Sequence, residues 1–286
     1  MNKIVYFLIL SLLSACGSSD SNSTTTQKKE VIEKPTNGDT NNTIENKKDW
    51  YTPDKNTSWQ WQLNGNINSS YDVDLYDIDL FDSSETLIKE LHSKGKKVIC
   101  YFSAGSFENW REDANKFPAE TLGKDLDGWD GERWLDIRNK KLYPIMKSRL
   151  ELAKQKGCDG VEPDNVDGYT NKSGFKLTTD DQLEYNIFLA DEAHKRGLSI
   201  GLKNDLDQIK TLEQYFDFSV NEQCHEYNEC NKLKPFIEAN KPVFNAEYNK
   251  KYKNNREKLC KESLKLGFQT LILPMDLDDS FRISCE

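Results

Sequence analysis

The sequence predicts an α/β fold, a single (β/α)8 TIM barrel preceded by a lipoprotein signal and a disordered tether, and three observations carry that prediction. Eight short β-rich runs alternate with stretches whose apolar residues recur at helical spacing, the pattern of parallel strands returned by crossover helices. Polar and acidic residues follow nearly every run, as they do in a barrel whose strand ends converge on one rim. No glycine-rich phosphate loop follows any of them, which separates the pattern from an open doubly wound sheet with its chemistry at one switch point.

In chain order, residues 1–15 lie outside the fold. Lys3 gives a positive start, Ile4 to Leu13 is almost wholly apolar, and Leu13-Ser14-Ala15-Cys16 closes the run with small residues. The run is short for a membrane span and reads as a secretory signal. A cysteine directly after Leu-Ser-Ala resembles the bacterial lipobox, which implies lipidation at Cys16 and an exported lipoprotein, anchored at the outer membrane or cell surface without spanning it. Residues 16–48 are dominated by Ser, Thr, Asn, Lys and Glu, with Val31, Ile32 and Ile44 as the strongly apolar exceptions. Such a segment buries too little surface to offset its ordering entropy, so it is expected to be a flexible linker. Residues 49–286 remain for the barrel, a normal length for one α/β barrel.

The strand runs fall at 59–63, 73–81, 97–102, 160–162, 198–202, 216–220, 242–245 and 269–273. Between them, 84–93 carries Leu87, Ile88 and Leu91 on one face, and 142–155 carries Ile145, Leu150 and Ala153 before Gly157. The stretch 180–195 carries Leu183, Ile187 and Ala190 and stops at Gly197, with Thr178 or Thr179 available as cap.

With 39 basic and 48 acidic residues the net charge is −9, so nucleic acid is an unfavourable partner and a polycation a favourable one. Besides Cys16 there are six cysteines, an even number that permits three disulfides in an exported chain. Cys224 and Cys230 bracket a short loop, and Cys260 is within reach of tying the last helix to the tail at Cys285. Cys100 and Cys158 are left to pair with each other or to stay as buried small residues. The spacing does not fit a zinc site, and no metal or organic cofactor is expected.

The chemistry concentrates in two stretches. Gly160-Val161-Glu162-Pro163-Asp164-Asn165 and Phe218-Ser219-Val220-Asn221-Glu222-Gln223 are both apolar runs ending in carboxylates and amides. Two strand ends of this kind can set an acid/base pair across one pocket, which is what glycosidic cleavage requires.

Together with Tyr101-Phe102-Ser103-Ala104-Gly105, Trp134-Leu135-Asp136-Ile137 and Glu247-Tyr248, these motifs resemble glycoside hydrolase family 114, over the domain from Trp59 to Asp276 and in the family's order. The resemblance implies a (β/α)8 barrel with endo-α-1,4-polygalactosaminidase activity, acting on galactosamine-containing polysaccharide, with Asp164 and Glu222 as its catalytic carboxylates. The expected mechanism is retaining: Asp164 attacks as nucleophile, and Glu222 protonates the leaving oxygen and then activates water. A separation of about 5–6 Å fits retention and about 6.5–9.5 Å inversion.

Asp79, Tyr101, Lys203, Asn221, Glu247 and Tyr248 are the expected substrate contacts, each weighed against a structural role. A cationic amino sugar gives the acids among them a partner, since an ammonium pairs with a carboxylate. Glu162 is expected to support from behind. One of Trp110, Trp129 and Trp134 is expected to stack on sugar, the others packing as a loop core. A monomer is expected. The rival readings are a non-catalytic polysaccharide-binding lipoprotein, which has no need of the carboxylate pair, and a hydrolase of another α-linked glycan.

Overall fold

The computed structural model describes residues 48–285; the signal run, Cys16 and the tether as far as residue 47 lie outside the described residues. In chain order the strands are β1 (Trp59–Gln62), β2 (Leu75–Asp79), β3 (Lys97–Ser103), β4 (Ser106–Glu108), β5 (Leu122–Asp125), β6 (Glu132–Leu135), β7 (Gly160–Asp164), β8 (Ser199–Lys203), β9 (Phe218–Glu222), β10 (Val243–Glu247), β11 (Gln269–Ile272) and β12 (Ile283–Ser284). The helices are α1 (Glu85–Ser93), α2 (Tyr143–Lys156), α3 (Thr179–His194), α4 (Ile209–Leu212), α5 (Cys224–Tyr227), α6 (Lys234–Glu238), α7 (Lys250–Asn254) and α8 (Arg256–Leu266). Each of the eight expected runs overlaps a strand, five of which extend one or two residues past the expected end.

Those eight pair in parallel in the order β1-β2-β3-β7-β8-β9-β10-β11, and β12 adds antiparallel to β11. The result is a curled nine-stranded sheet, where the sequence predicts a closed ring of eight. Between β1 and β11 the described contacts run from side chain to backbone. Trp59 Nε1 donates to the Gln269 carbonyl at 2.9 Å, and Arg282 of the tail donates to the Trp59 carbonyl at 2.9 Å. A second, antiparallel sheet, β4-β6-β5, grows out of the connection between β3 and α2.

Local chemistry fixes the helix ends. The Ser84 hydroxyl accepts from the Leu87 N–H, and Thr178 and Asp181 form a capping box at the start of α3. Helix α2 stops at Gly157, whose φ of 90° favours a residue without Cβ.

The side-chain period of two sorts each strand into two faces. Trp59, Trp61, Leu75, Ile99, Phe218, Val220, Phe244 and Ala246 fill the concave side. The alternate residues, among them Tyr76, Ile78, Val98, Val161, Ile200 and Leu202, pack on helix residues such as Ile88, Leu91, Leu150 and Leu189. Fully buried side chains of this size each contribute about 1.5–3 kcal/mol, so both layers are needed to hold the curl.

Three disulfides form. Cys100–Cys158 ties β3 to the segment before β7, Cys224–Cys230 closes a short loop after β9, and Cys260–Cys285 ties α8 to the tail that carries β12. No helix among the described residues is long and apolar enough to cross a membrane.

Candidate active site

The inward positions of the strands lead to one rim. β7 and β9 end on Asp164 and Glu222, and β8, which lies between them in the sheet, ends on Lys203. Asp164 Oδ1 accepts from the Lys203 ammonium at 3.0 Å and from the Asn165 N–H at 2.6 Å, and Oδ2 accepts from the Tyr101 hydroxyl at 3.0 Å. Glu222 Oε1 accepts from the Tyr248 hydroxyl at 2.5 Å. Its Oε2 accepts from Asn204 Nδ2 at 3.3 Å and lies 3.1 Å from Lys203 Nζ. One ammonium therefore touches both carboxylates, and its two contacts of 3.0 and 3.1 Å keep their nearest oxygens within ~6 Å of each other.

Lys203 is buried, with a third carboxylate, Glu162, at 3.7 Å and the Trp61 ring 5.1 Å away. Burial opposes its charge, but Asp164, Glu222 and Glu162 outweigh that and hold its pKa well above the ordinary lysine value. Directly after the three strands the backbone turns left-handed, at Asn165 (φ 60°), Asn204 and Asp205 (φ 49° and 44°) and Gln223 (φ 60°). Such conformations cost about 1 kcal/mol or more each and gather at functional sites.

One layer down, Asp77 and Glu162 are fully enclosed. Both Glu162 oxygens and Asp77 Oδ1 lack a donor. Burial pushes Asp77 up to about 7. Burial, followed by the Asp77 charge, pushes Glu162 well above the carboxylate range. Two bare carboxylates have no hydrogen to offer each other. Raised pKa values at both favour holding a proton here, which would spare Lys203 a fourth negative neighbour.

The wall facing this floor comes from the inserted sheet. Arg111 forks onto Asp79, Nη1 to Oδ1 at 3.0 Å and Nη2 to Oδ2 at 2.6 Å, and its Nε donates to Glu108 at 2.9 Å. Glu132, on β6, accepts from the Ser106 hydroxyl at 2.7 Å. Ser106 lies 2.6 Å from the Ser103 hydroxyl, which accepts from Asn165 Nδ2 at 3.0 Å. Burial, with the charges of Glu108 and Asp164, pushes the Glu132 pKa up to about 7 against the pull of the Ser106 hydrogen bond and of Arg111. Gly105 lets this corner close: a Cβ there would meet the Asn165 carbonyl at 1.7 Å. Floor and wall enclose a cleft of about 480 Å³, within the usual range of ligand pockets.

Of the expected contacts, Tyr101, Lys203 and Asp79 line the cleft, although both Asp79 oxygens are already engaged by Arg111. Tyr248 reaches the site through Glu222. Asn221 and Glu247 are not among the residues that line this cleft. Each neighbours an inward residue and so, by the period of two, faces the helix side. Asn221 donates to Asn204, the residue that holds Glu222. Glu247 is fully buried, accepts from the His225 N–H at the start of α5, and is pushed by burial up to about 7. Trp110 and Trp129 stand about half exposed on the rim, while Trp134 is buried.

Sequence reasoning missed Arg111 and Glu132 because both lie in what it read as a long connection. The alternation Glu132-Arg133-Trp134-Leu135 is the one local sign of a strand there. Cys224, His225 and Cys230 cluster closely, but the two sulfurs are joined to each other and offer no thiolate.

The profile described as Glycoside-hydrolase family GH114 matches residues 40–286. The crystal structure of Aspergillus fumigatus Ega3 in complex with galactosamine is similar at 43% identity and a TM-score of 0.78, covering 82% of this chain and 97% of that one. The glycoside hydrolase domain of PelA from Pseudomonas aeruginosa shares the fold, with a TM-score of 0.63 over 79% of this chain and 97% of that one, at 12% identity. No curated protein sequence matches the chain.

Proposed function

Because the chain belongs to glycoside-hydrolase family GH114, we propose that it cleaves α-1,4-linked galactosamine polysaccharide at internal bonds, with retention, through Asp164 and Glu222. The observation that carries the reading is the single buried ammonium of Lys203 held between the two carboxylates at the floor of a sugar-sized cleft. Asp164 attacks C1 and forms a glycosyl ester as the C1–O bond breaks. The departing oxygen takes the proton from the Glu222 carboxyl. Water then attacks C1, Glu222 takes its proton, and Asp164 is released. Lys203 and Tyr101 hold the attacking carboxylate in place, and Tyr248 and Asn204 hold the acid. The galactosamine in the similar Aspergillus protein and the carboxylate-rich cleft of this chain support an amino-sugar polymer as substrate.

The test is release of reducing ends from de-N-acetylated α-1,4-galactosamine polymer. Wild type is expected to shorten it to oligomers. Asp164→Asn and Glu222→Gln are expected to lose on the order of 10³-fold or more of the rate. Binding without any shortening would favour the non-catalytic alternative.

The same reading covers the rest of the molecule. Residues 1–15 are a signal, Cys16 carries the lipid, 16–48 form the tether, and 49–286 form a (β/α)8 barrel whose seam lies between β1 and β11. The protein works as a monomer on polymer outside the cell, held at the outer membrane or cell surface. Three disulfides suit an oxidising compartment. Metabolic labelling with a palmitate analogue is expected to mark wild type and not Cys16→Ala.

A further inference from the structure

The carboxylates that line the cleft differ in one respect. Asp79 and Glu108 share Arg111, and Asp164 and Glu222 share Lys203, each pair within salt-bridge distance of its cation. Asp82 reaches Arg111 from the surface, and Asp276 is exposed to water. Glu132 is buried, lines the same cleft, and has no cation in salt-bridge contact among the described residues. Its recorded hydrogen bond, from Ser106, goes to Oε2. A buried carboxylate without a countercharge is costly unless it is protonated or something else supplies the charge.

We infer that Glu132 is the substrate's ammonium receptor, and so the residue by which the cleft selects a free amino sugar over a neutral or N-acetylated one. The inference rests on the amino-sugar reading above and adds a specific residue to it. The Ser103–Ser106–Asn165 hydrogen bonds link Glu132 to the residue next to Asp164, so the ammonium contact and the attacking carboxylate are held in one frame. Burial, with Glu108 and Asp164, pushes the Glu132 pKa up to about 7 against the pull of Ser106 and Arg111. An arriving ammonium favours its ionised form, as it would for any carboxylate.

The measurement is calorimetric binding of galactosamine, galactose and N-acetylgalactosamine to the whole protein, for wild type, Glu132→Gln and Glu132→Asp. Melting curves accompany each variant to confirm folding. Wild type is expected to prefer galactosamine over galactose by about tenfold or more, the worth of a charge-assisted hydrogen bond. Glu132→Gln is expected to bind the two sugars within about twofold of each other, and Glu132→Asp to recover part of the preference.

If Glu132→Gln keeps the wild-type preference, the inference is wrong while the amino-sugar reading stands. If wild type itself binds galactose and galactosamine alike, both fall. If Glu132→Gln abolishes turnover while keeping the preference, the inference is again wrong, and Glu132 belongs to proton transfer instead.

Discussion

Two buried charge clusters sit at opposite ends of the strands, and their stoichiometries are inverted. At the entry to β9, the enclosed Asp217 is served by Lys48 at 2.7 Å, Trp50 Nε1 at 3.1 Å, His194 Nε2 at 2.9 Å and the Ile200 N–H at 3.1 Å. One carboxylate has four partners. Burial raises its pKa, but His194 and Lys48 prevail and hold it below the ordinary value. At the exit of β8, one ammonium serves Asp164, Glu222 and Glu162, with Asp77 beyond, and several oxygens have no donor at all. The saturated cluster stabilises the fold. The under-supplied cluster is held in place by the fold around it, with carboxylate oxygens left over. Barrels divide labour between strand starts and strand ends in this way, and unsatisfied polar sites are where stability is traded for activity.

The largest effect that would break this contrast is at Lys203. Lys203→Met is expected to lower turnover on the order of 10³-fold, since both carboxylates lose their common anchor. It should also cost about 3 kcal/mol in urea unfolding at neutral pH, the penalty for leaving buried carboxylates unpaired. Turnover within tenfold of wild type would show that the shared ammonium is not part of the chemistry.

Asp217→Asn sharpens the contrast from the other end. It is expected to lose about 1–3 kcal/mol of stability with turnover kept within about twofold, read from the same unfolding curves and from reducing-end release.

The pH dependence of melting compares the two clusters in one protein. Asp77 has its pKa raised from 3.8 to about 7, so the folded state binds the extra proton between those values and stability falls as pH rises through that window. Asp217 has its pKa lowered, so its contribution is complete above the unfolded value near 4 and is lost as pH falls through the folded value. The melting temperature is therefore expected to climb from about pH 8 to about pH 5 and to drop below about pH 4. A melting temperature that is flat from 8 to 5 would count against the protonated pair beneath Lys203.

The smallest effect belongs to the rim. Trp129→Ala removes a half-exposed ring and is expected to raise KM for the polymer about three- to tenfold, the worth of one stacking face. Its melting temperature should stay within a degree or two of wild type.

Much of this was legible in the sequence. All eight parallel strands were, because each is a short β-rich run, most are separated by helical stretches, and polar residues follow nearly every one. Of the cysteines, Cys224–Cys230 and Cys260–Cys285 were the favoured pairs, while Cys100–Cys158 stood open against two buried thiols until the structure joined them. The inserted sheet was not legible: β4, β5 and β6 are three or four residues long and alternate too briefly to show a period. Arg111 escaped with it, so Asp79 was read without the guanidinium that engages it. Asn221 and Glu247 were grouped with the cleft by their motifs, although the alternation of side chains along β9 and β10 sends them to the helix side. The ninth strand was not legible either: Ile283–Ser284 is too short to show a period, and although the Cys260–Cys285 link was expected, Arg282 reaching Trp59 was not.

The most direct measurement is peptide mass mapping of Glu222→Gln after incubation with a galactosaminide bearing a good leaving group, which needs no acid to depart. With deglycosylation slowed by loss of the base, a hexosamine adduct is predicted on the peptide that contains Asp164. An unmodified Asp164 peptide, together with an inverted anomer in the initial product of the wild-type reaction, would contradict the assignment of Asp164 as nucleophile.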